Sequence, residues 1–203
     1  MRRCFHTRLP SLARLLACGA LLAWATALRA QEATFELDPA STTVEFTLSA
    51  TLHTVHGTFK AKSGSIRFDV ASGGASGSFV IDATSGNSGN ESRDHKMHEE
   101  VLESGKYPEI VFTPTRVVGT VPAQGDSTLQ VQGKFRLHGA DHEVTFSVPV
   151  HVNGNEVTAK TRFAVPYVAW GLKNPSTFVL RVSKEVEIEV SASGRFVFGG
   201  TPR

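Results

Sequence analysis

The stretch Thr128–Val150, TLQVQGKFRLHGADHEVTFSVPV, decides the fold. Leu129, Val131, Gly133, Phe135 and Leu137 recur with a period of two, against Thr128, Gln130, Gln132, Lys134 and Arg136. After His138-Gly139-Ala140-Asp141 the alternation resumes, with Val144, Phe146, Val148 and Val150 opposing Glu143, Thr145 and Ser147. Successive side chains of a strand point to opposite faces, so each run has one buried and one wetted face. Two such runs about a short glycine-containing turn make an antiparallel hairpin. Parallel strands, covered on both faces, would read as continuous apolar runs instead.

The same period extends outward in both directions. Val44, Phe46, Leu48 and Ala50 oppose Thr43, Glu45, Thr47 and Ser49. Val157, Ala159, Thr161, Phe163 and Val165 oppose Thr158, Lys160 and Arg162, and Val186, Ile188, Val190 and Ala192 oppose a row of glutamates. Turn signals stand between the runs at Ser72-Gly73-Gly74, Gln124-Gly125-Asp126 and Asn153-Gly154-Asn155. About eight strands are expected, all-β, as an up-and-down barrel or a two-sheet sandwich. One segment, 87–107, lacks alternation and carries helix formers. A single helix is expected there, with Ser88-x-x-Glu91 as a capping box and Asn90 or Ser92 as competing caps, ended by Gly105 and Pro108.

The charge balance belongs to two different parts of the chain. Over 203 residues, 21 Lys and Arg exceed 19 Asp and Glu by two. Arg2, Arg3, Arg8, Arg14 and Arg29 all precede Gln31, and no acidic residue does; without these five, 16 cations face 19 anions, a formal −3. Four of the arginines lead into the apolar run Leu15–Leu28, which small residues follow. Residues 1–30 are therefore expected to be a secretory signal peptide cleaved after Ala27 or Ala30, delivering 31–203 to the periplasm across the inner membrane. Arg2-Arg3 leaves Sec and Tat export both open, and Leu15-Leu16-Ala17-Cys18 loosely resembles a lipoprotein box. The apolar run is shorter than the roughly 20 residues of a spanning helix, so no stable membrane span is expected. Cys4 and Cys18 both lie in the leader, so the exported domain folds without a disulfide. A mildly acidic domain without a basic aromatic strand face excludes nucleic acid as partner.

Candidate chemistry concentrates in the helical segment. His95-x-x-His98, followed by Glu99, places two imidazoles at metal-like spacing on one helix face, where they could chelate zinc or copper with a carboxylate. His53-x-x-His56 has the same spacing on a strand, where the rings point to opposite faces. Arg93-Asp94-His95 invites an acid–base reading, but neighbours on a helix diverge, and no G-x-S-x-G elbow or phosphate loop accompanies them. Anchoring of the helix on the sheet accounts for the same residues. Phenylalanine is the more informative composition: 13 in all, most on inward faces, large and without a polar atom. They would fill a sandwich core or line a barrel cavity equally well.

The ordered motifs decide between these. Phe35-Glu36-Leu37-Asp38-Pro39-Ala40-Ser41-Thr42-Thr43-Val44-Glu45-Phe46, Val55-His56-Gly57-Thr58-Phe59-Lys60 and Gly64-Ser65-Ile66-Arg67-Phe68-Asp69 resemble the opening of YceI-like domains. Asn90 with Arg93-Asp94 and either His95 or His98, then Lys106-Tyr107-Pro108-Glu109-Ile110-Val111-Phe112 and Leu137-His138-Gly139, follow in family order. The resemblance spans residues 34–192. It departs near the C-terminus, where an Arg-x-x-Phe-Gly pattern is replaced within Phe163–Thr177, so ligand identity does not transfer. What the resemblance implies is a lipocalin-like antiparallel up-and-down β-barrel with one inserted helix. It implies a non-enzymatic, cofactor-free carrier of a long apolar molecule: a polyisoprenoid, an isoprenoid quinone or a fatty acyl lipid. On that reading Phe46, Leu48, Phe59, Phe79, Ile81, Met97, Leu102, Phe112, Val131, Phe135, Phe146, Val148, Phe163 and Trp170 are expected to line the cavity. Arg93, His95 and Lys173 are expected at a head group or as helix anchors, and a homodimer is compatible with the sequence. The alternative is a metal-associated or enzymatic periplasmic domain built on His95, His98 and Glu99.

Overall fold

In the computed structural model, which describes residues 32–198, the alternating runs become nine strand segments. They are β1 (Glu32–Leu37), β2 (Thr43–Ser49), β3 (Thr54–Asp69), β4 (Ala75–Asn87), β5 (Glu109–Val118), β6 (Gly125–Leu137), β7 (Ala140–Asn153), β8 (Glu156–Val165) and β9 (Val186–Phe198). The leader expected over residues 1–30, with both cysteines, lies outside the described residues. From β2 onward every strand pairs antiparallel with the next, and β9 returns to pair with β2. That last pairing closes the sheet and settles barrel over sandwich.

The first two segments share one place in the ring. β2 pairs with Thr54–Lys60 of β3 and with the start of β9, whereas β1 pairs with Ser65–Asp69 of β3 and with Gly194–Phe198 of β9. Laid end to end they act as one long strand, so the barrel has eight positions. A single 3₁₀ turn, Pro39–Ser41, interrupts that strand. Asp38 holds the turn: its carboxylate accepts from the Ala40 N–H (3.0 Å) and the Ser41 hydroxyl (2.7 Å). These bonds, the Ser41 hydroxyl foremost, keep its carboxyl below the usual carboxylate range. The Asp38-Pro39-Ala40-Ser41-Thr42 motif is thus an architectural joint.

Bulges adjust which residues face inward. Along β3 the inner face runs through Val55, Gly57, Phe59 and Ala61, then switches parity to Gly64, Ile66 and Phe68 across a register shift. β5 switches in the same way between Pro114 and Val117. One extra residue in a strand turns the following side chains to the other face. The β6–β7 hairpin closes with only His138 and Gly139, both at positive φ (53° and 78°), as a tight hairpin turn requires.

The helical segment is shorter than the sequence suggests. α1 (Glu91–Lys96) continues as one π-helical stretch, Met97–Val101, and Glu103 at φ 46° ends it. Asn90 is the cap, its side chain accepting from the Arg93 N–H at 3.0 Å. The capping box expected at Ser88 does not form, because the Ser88 hydroxyl is engaged with Asp94 and Arg93. Among the described residues no helix is long and apolar enough to cross a membrane.

Two clusters divide the interior. One, at the end where β1 starts and β9 finishes, contains Ala33, Phe68, Leu129, Val152, Val157 and Phe196. The other lies toward the helix and includes Val44, Ile81, Phe135, Phe146 and Leu172. At the first end Phe196 meets Phe35 and Phe68 edge-on, with ring centroids 6.2 and 5.9 Å apart. Phe196→Ala is expected to cost about 3–5 kcal/mol, the usual loss for a truncated core phenylalanine, measured by urea unfolding; an unchanged midpoint would show that this end is not a packed plug.

Candidate ligand-binding site

The helix-side end is not filled. A cavity of about 390 Å³ opens there, within the size range of small-molecule sites. Its walls come from strand ends that run toward the helix: Phe46 and Leu48 of β2, Val55 and Phe59 of β3, Phe135 and Leu137 of β6, and Val186 and Ile188 of β9. Met97, Val101 and Leu102 close it from the helix. The long connection 166–185 supplies the remaining side with Tyr167, Leu172, Pro175, Leu180 and Val182. Ser88, Asn90, Ser92, Arg93, Lys96, His53 and Thr177 also line it, and most of these are exposed, so the polar residues mark the opening.

The groups at that opening are held by specific bonds. Arg93 donates from Nε to the Ser88 hydroxyl (2.7 Å) and from Nη2 to the Ser88 carbonyl (3.0 Å). Ser88 in turn donates its backbone N–H to Asp94 at 2.8 Å and its hydroxyl to the same carboxylate oxygen. Arg93 is therefore a positioned cation on the cavity rim, and Asp94 anchors the helix without entering the cavity. On the opposite wall Tyr167 donates to the Ser183 carbonyl at 2.6 Å. Burial pushes its phenol above the ordinary value, so it remains a neutral donor that fixes the connection.

The expected site residues fall into three groups. Phe46, Leu48, Phe59, Met97, Leu102 and Phe135 line the cavity, as does Arg93. Ile81 and Phe146 are buried in the adjoining cluster, with Phe79, Phe112, Val148, Phe163 and Trp170 packed against it, outside the cavity wall. Val131 packs against the opposite end. His95 and Lys173 are exposed and do not line the cavity; Lys173 pairs with Glu100, whose carboxyl that bond holds low. Period-two reading located the inner faces but carried no depth along the barrel axis. The expected lining also left out Val55, Val101, Ile110, Leu137, Val165, Tyr167, Leu172, Pro175, Leu180, Val182, Val186 and Ile188, although the period places Val165, Val186 and Ile188 on inner faces. The available signal was position: inner residues nearest the helix and the aperiodic stretch 166–185 belong to the same end.

The metal-like cluster is not assembled. His98 has both ring nitrogens engaged, Nδ1 with the Ser104 hydroxyl (3.0 Å) and Nε2 with the Gly86 carbonyl (2.9 Å). Glu99 and His95 are exposed, and among the described residues no group of three His, Cys, Asp or Glu side chains is placed to hold a metal ion. His98 ties the π-helical turn to β4. The Tyr107 and His138-Gly139 motifs also meet each other: the Tyr107 and His138 rings lie 4.4 Å apart, and a Cβ on Gly139 would stand 2.8 Å from Tyr107. His138 further bonds Glu103 at 2.8 Å. These residues frame the end of the barrel and leave its cavity to apolar groups.

Comparison with known proteins agrees with this geometry. The family described as the YceI-like domain matches residues 35–193. A UPF0312 protein of Vibrio parahaemolyticus is 31% identical over 147 residues, covering 70% of this chain and 76% of that protein. Among solved structures, BcnA of Burkholderia cenocepacia aligns with a TM-score of 0.62 at 22% identity, over 77% of this chain and 98% of its own. A domain from Saccharophagus degradans, described as polyisoprenoid-binding, aligns with a TM-score of 0.59 at 16% identity, over 79% and 97%. At these identities the two structures speak for the fold alone.

Truncation of His98 separates an anchor from a metal ligand. His98→Ala should cost about 1–3 kcal/mol by orphaning the buried Ser104 hydroxyl and the Gly86 carbonyl, while a chelator leaves the wild-type unfolding midpoint unchanged. A midpoint that falls with chelator in the wild type but not in the variant would restore the metal reading.

Proposed function

Because the chain belongs to the YceI-like domain family, we propose that it is a binding protein for a long apolar molecule, a polyisoprenoid, isoprenoid quinone or fatty acyl lipid, and not an enzyme. The observation that carries this is the cavity of about 390 Å³ at one end of the barrel, apolar within and polar only at its opening.

The recognising force is desolvation. Each methylene moved from water into the cavity contributes about 0.8 kcal/mol. Association costs on the order of 4–15 kcal/mol, and an eight-carbon chain, gaining about 6 kcal/mol, clears only the lower part of that range. A chain of fifteen to twenty carbons, wholly buried, gains roughly 12–16 kcal/mol by the same measure, which reaches the upper part of the range. Affinity therefore rises with the length of chain the cavity can bury. Arg93, fixed by Ser88, and Lys96 stand where a polar or anionic end group would emerge. The closed packing at the opposite end supports entry and exit by one mouth.

Export belongs to the same proposal. Residues 1–30 carry the features of a signal peptide, and a periplasmic carrier would move an insoluble molecule through an aqueous compartment.

Protein purified from producing cells should carry an apolar mass in native mass spectrometry that solvent extraction removes. The extracted protein should take up N-phenyl-1-naphthylamine with enhanced fluorescence. Leu102→Trp, which fills the cavity from its roof, is expected to weaken that uptake at least tenfold with little change in the unfolding midpoint. No bound mass together with no probe uptake would sink the carrier reading. For export, the accumulated protein should fractionate with the periplasm and begin at Leu28 or Gln31; an intact Met1 terminus in the cytoplasm would refute it.

A further inference from the structure

The large apolar side chains left in water are not evenly placed. Leu52, Phe178 and Val179 are 75%, 96% and 78% exposed, far more than Val70, Val118 and Val197 at 44%, 46% and 41%. Phe178 and Val179 form the tip of a tight turn, closed by Thr177 N–H to the Leu180 carbonyl (2.9 Å) and Leu180 N–H to the Thr177 hydroxyl (3.1 Å). Turn tips ordinarily carry polar residues, Gly or Pro. Leu52 sits on the β2–β3 loop, which is bound to the same segment by Thr51 N–H to the Arg181 carbonyl (2.9 Å) and Ser183 N–H to the Ser49 carbonyl (2.8 Å). These exposures are therefore fixed by backbone bonds. The two loops also contribute Ala50, His53, Thr177 and Leu180 to the cavity lining, so the exposed apolar tip stands at the mouth.

Charge accompanies it. Residues 50–53 and 174–184 include Arg181, Lys184 and His53 and no Asp or Glu. Among the described residues no ion pair engages Arg181 or Lys184. Exposed apolar groups flanked by unpaired cations are the signature of an interfacial membrane contact, in which the apolar side chains enter the headgroup layer and the cations meet lipid phosphates.

We propose that this end of the barrel docks on an anionic phospholipid bilayer, inserting Leu52, Phe178 and Val179, so that the ligand passes between bilayer and cavity without crossing water. The transfer step rests on the carrier reading above; the docking itself does not. A second copy of the chain fits the patch less well. Three side chains of at most about 150–250 Å² each fall short of the roughly 800 Å² per partner of a stable interface, and a tip-to-tip pair would bring like charges together. The described residues begin and end at the opposite end of the barrel, where Glu32 pairs with Asp69 and Phe198 with Ala33.

The test is co-sedimentation of the cell-purified protein with vesicles of phosphatidylglycerol and phosphatidylcholine. The wild type is expected to bind, more weakly as salt is raised. Binding should fall at least tenfold in Leu52→Ser/Phe178→Ser/Val179→Ser and in Arg181→Glu/Lys184→Glu. All forms share one N-terminus, so any contribution of residues 1–30 cancels. As a second measurement, the emission of Phe178→Trp should shift to the blue on adding vesicles. Equal binding by wild type and triple variant, or no binding, overturns the proposal, as does a wild-type dimer that the triple variant abolishes without vesicles mattering. Uptake of N-phenyl-1-naphthylamine from solution keeps the two readings apart. Uptake without vesicle binding defeats docking and leaves the carrier; vesicle binding without uptake defeats the carrier and leaves docking.

Discussion

A sheet closed on itself has no edge, so every inward side chain must be covered by side chains reaching across the same interior. The β2–β9 pairing imposes that condition on this chain. Once it forms, the apolar half of each alternating run has one place to go, and the eight positions fix how much room there is. In a barrel this small the room is close to what large side chains fill. Whether a cavity remains is decided locally, at each level along the axis.

The two ends resolve that balance differently. Where β1 lies beside β9, Ala33, Phe68, Val152, Val157 and Phe196 meet and the interior is solid. Toward the helix the strands run on past Phe135 and Ile188 around a cavity, and Met97, Val101, Leu102 and the 166–185 connection complete its lining. The glycines contribute by packing. A Cβ on Gly57 would stand 2.3 Å from the Phe46 ring, and one on Gly86 2.7 Å from Phe59. Without those side chains, both rings lie against the wall and leave the axis open.

Period two revealed the strands and their inner faces because a half-buried sheet forces that alternation on the sequence. It could not report the bulges in β3 and β5, which depend on how a neighbour's register is met, nor depth, since Phe46 and Phe146 alternate identically while only Phe46 lines the cavity. The helix was visible from composition, its cap was not: Asn90, Ser88 and Ser92 are all competent, and Asp94 decides by capturing Ser88. The His95/His98/Glu99 spacing pointed to a metal for want of one fact absent from sequence, that Gly86 and Ser104 occupy both nitrogens of His98.

The motifs that tie the chain to its family are mostly structural. Asp38 and Ser41 make the joint between β1 and β2, and Tyr107 lies over His138 and Gly139 at the hairpin turn. These residues require a barrel with one framed end and say little about its contents. The cavity lies at the helix-side end of the strands, under the helix and residues 166–185. Tyr167, Leu172, Pro175, Leu180 and Val182 shape a cavity wall there, and Phe178 and Val179 stand in solvent beside it. The shape of the cavity wall and the exposed surface beside it therefore depend on this connection as much as on the barrel.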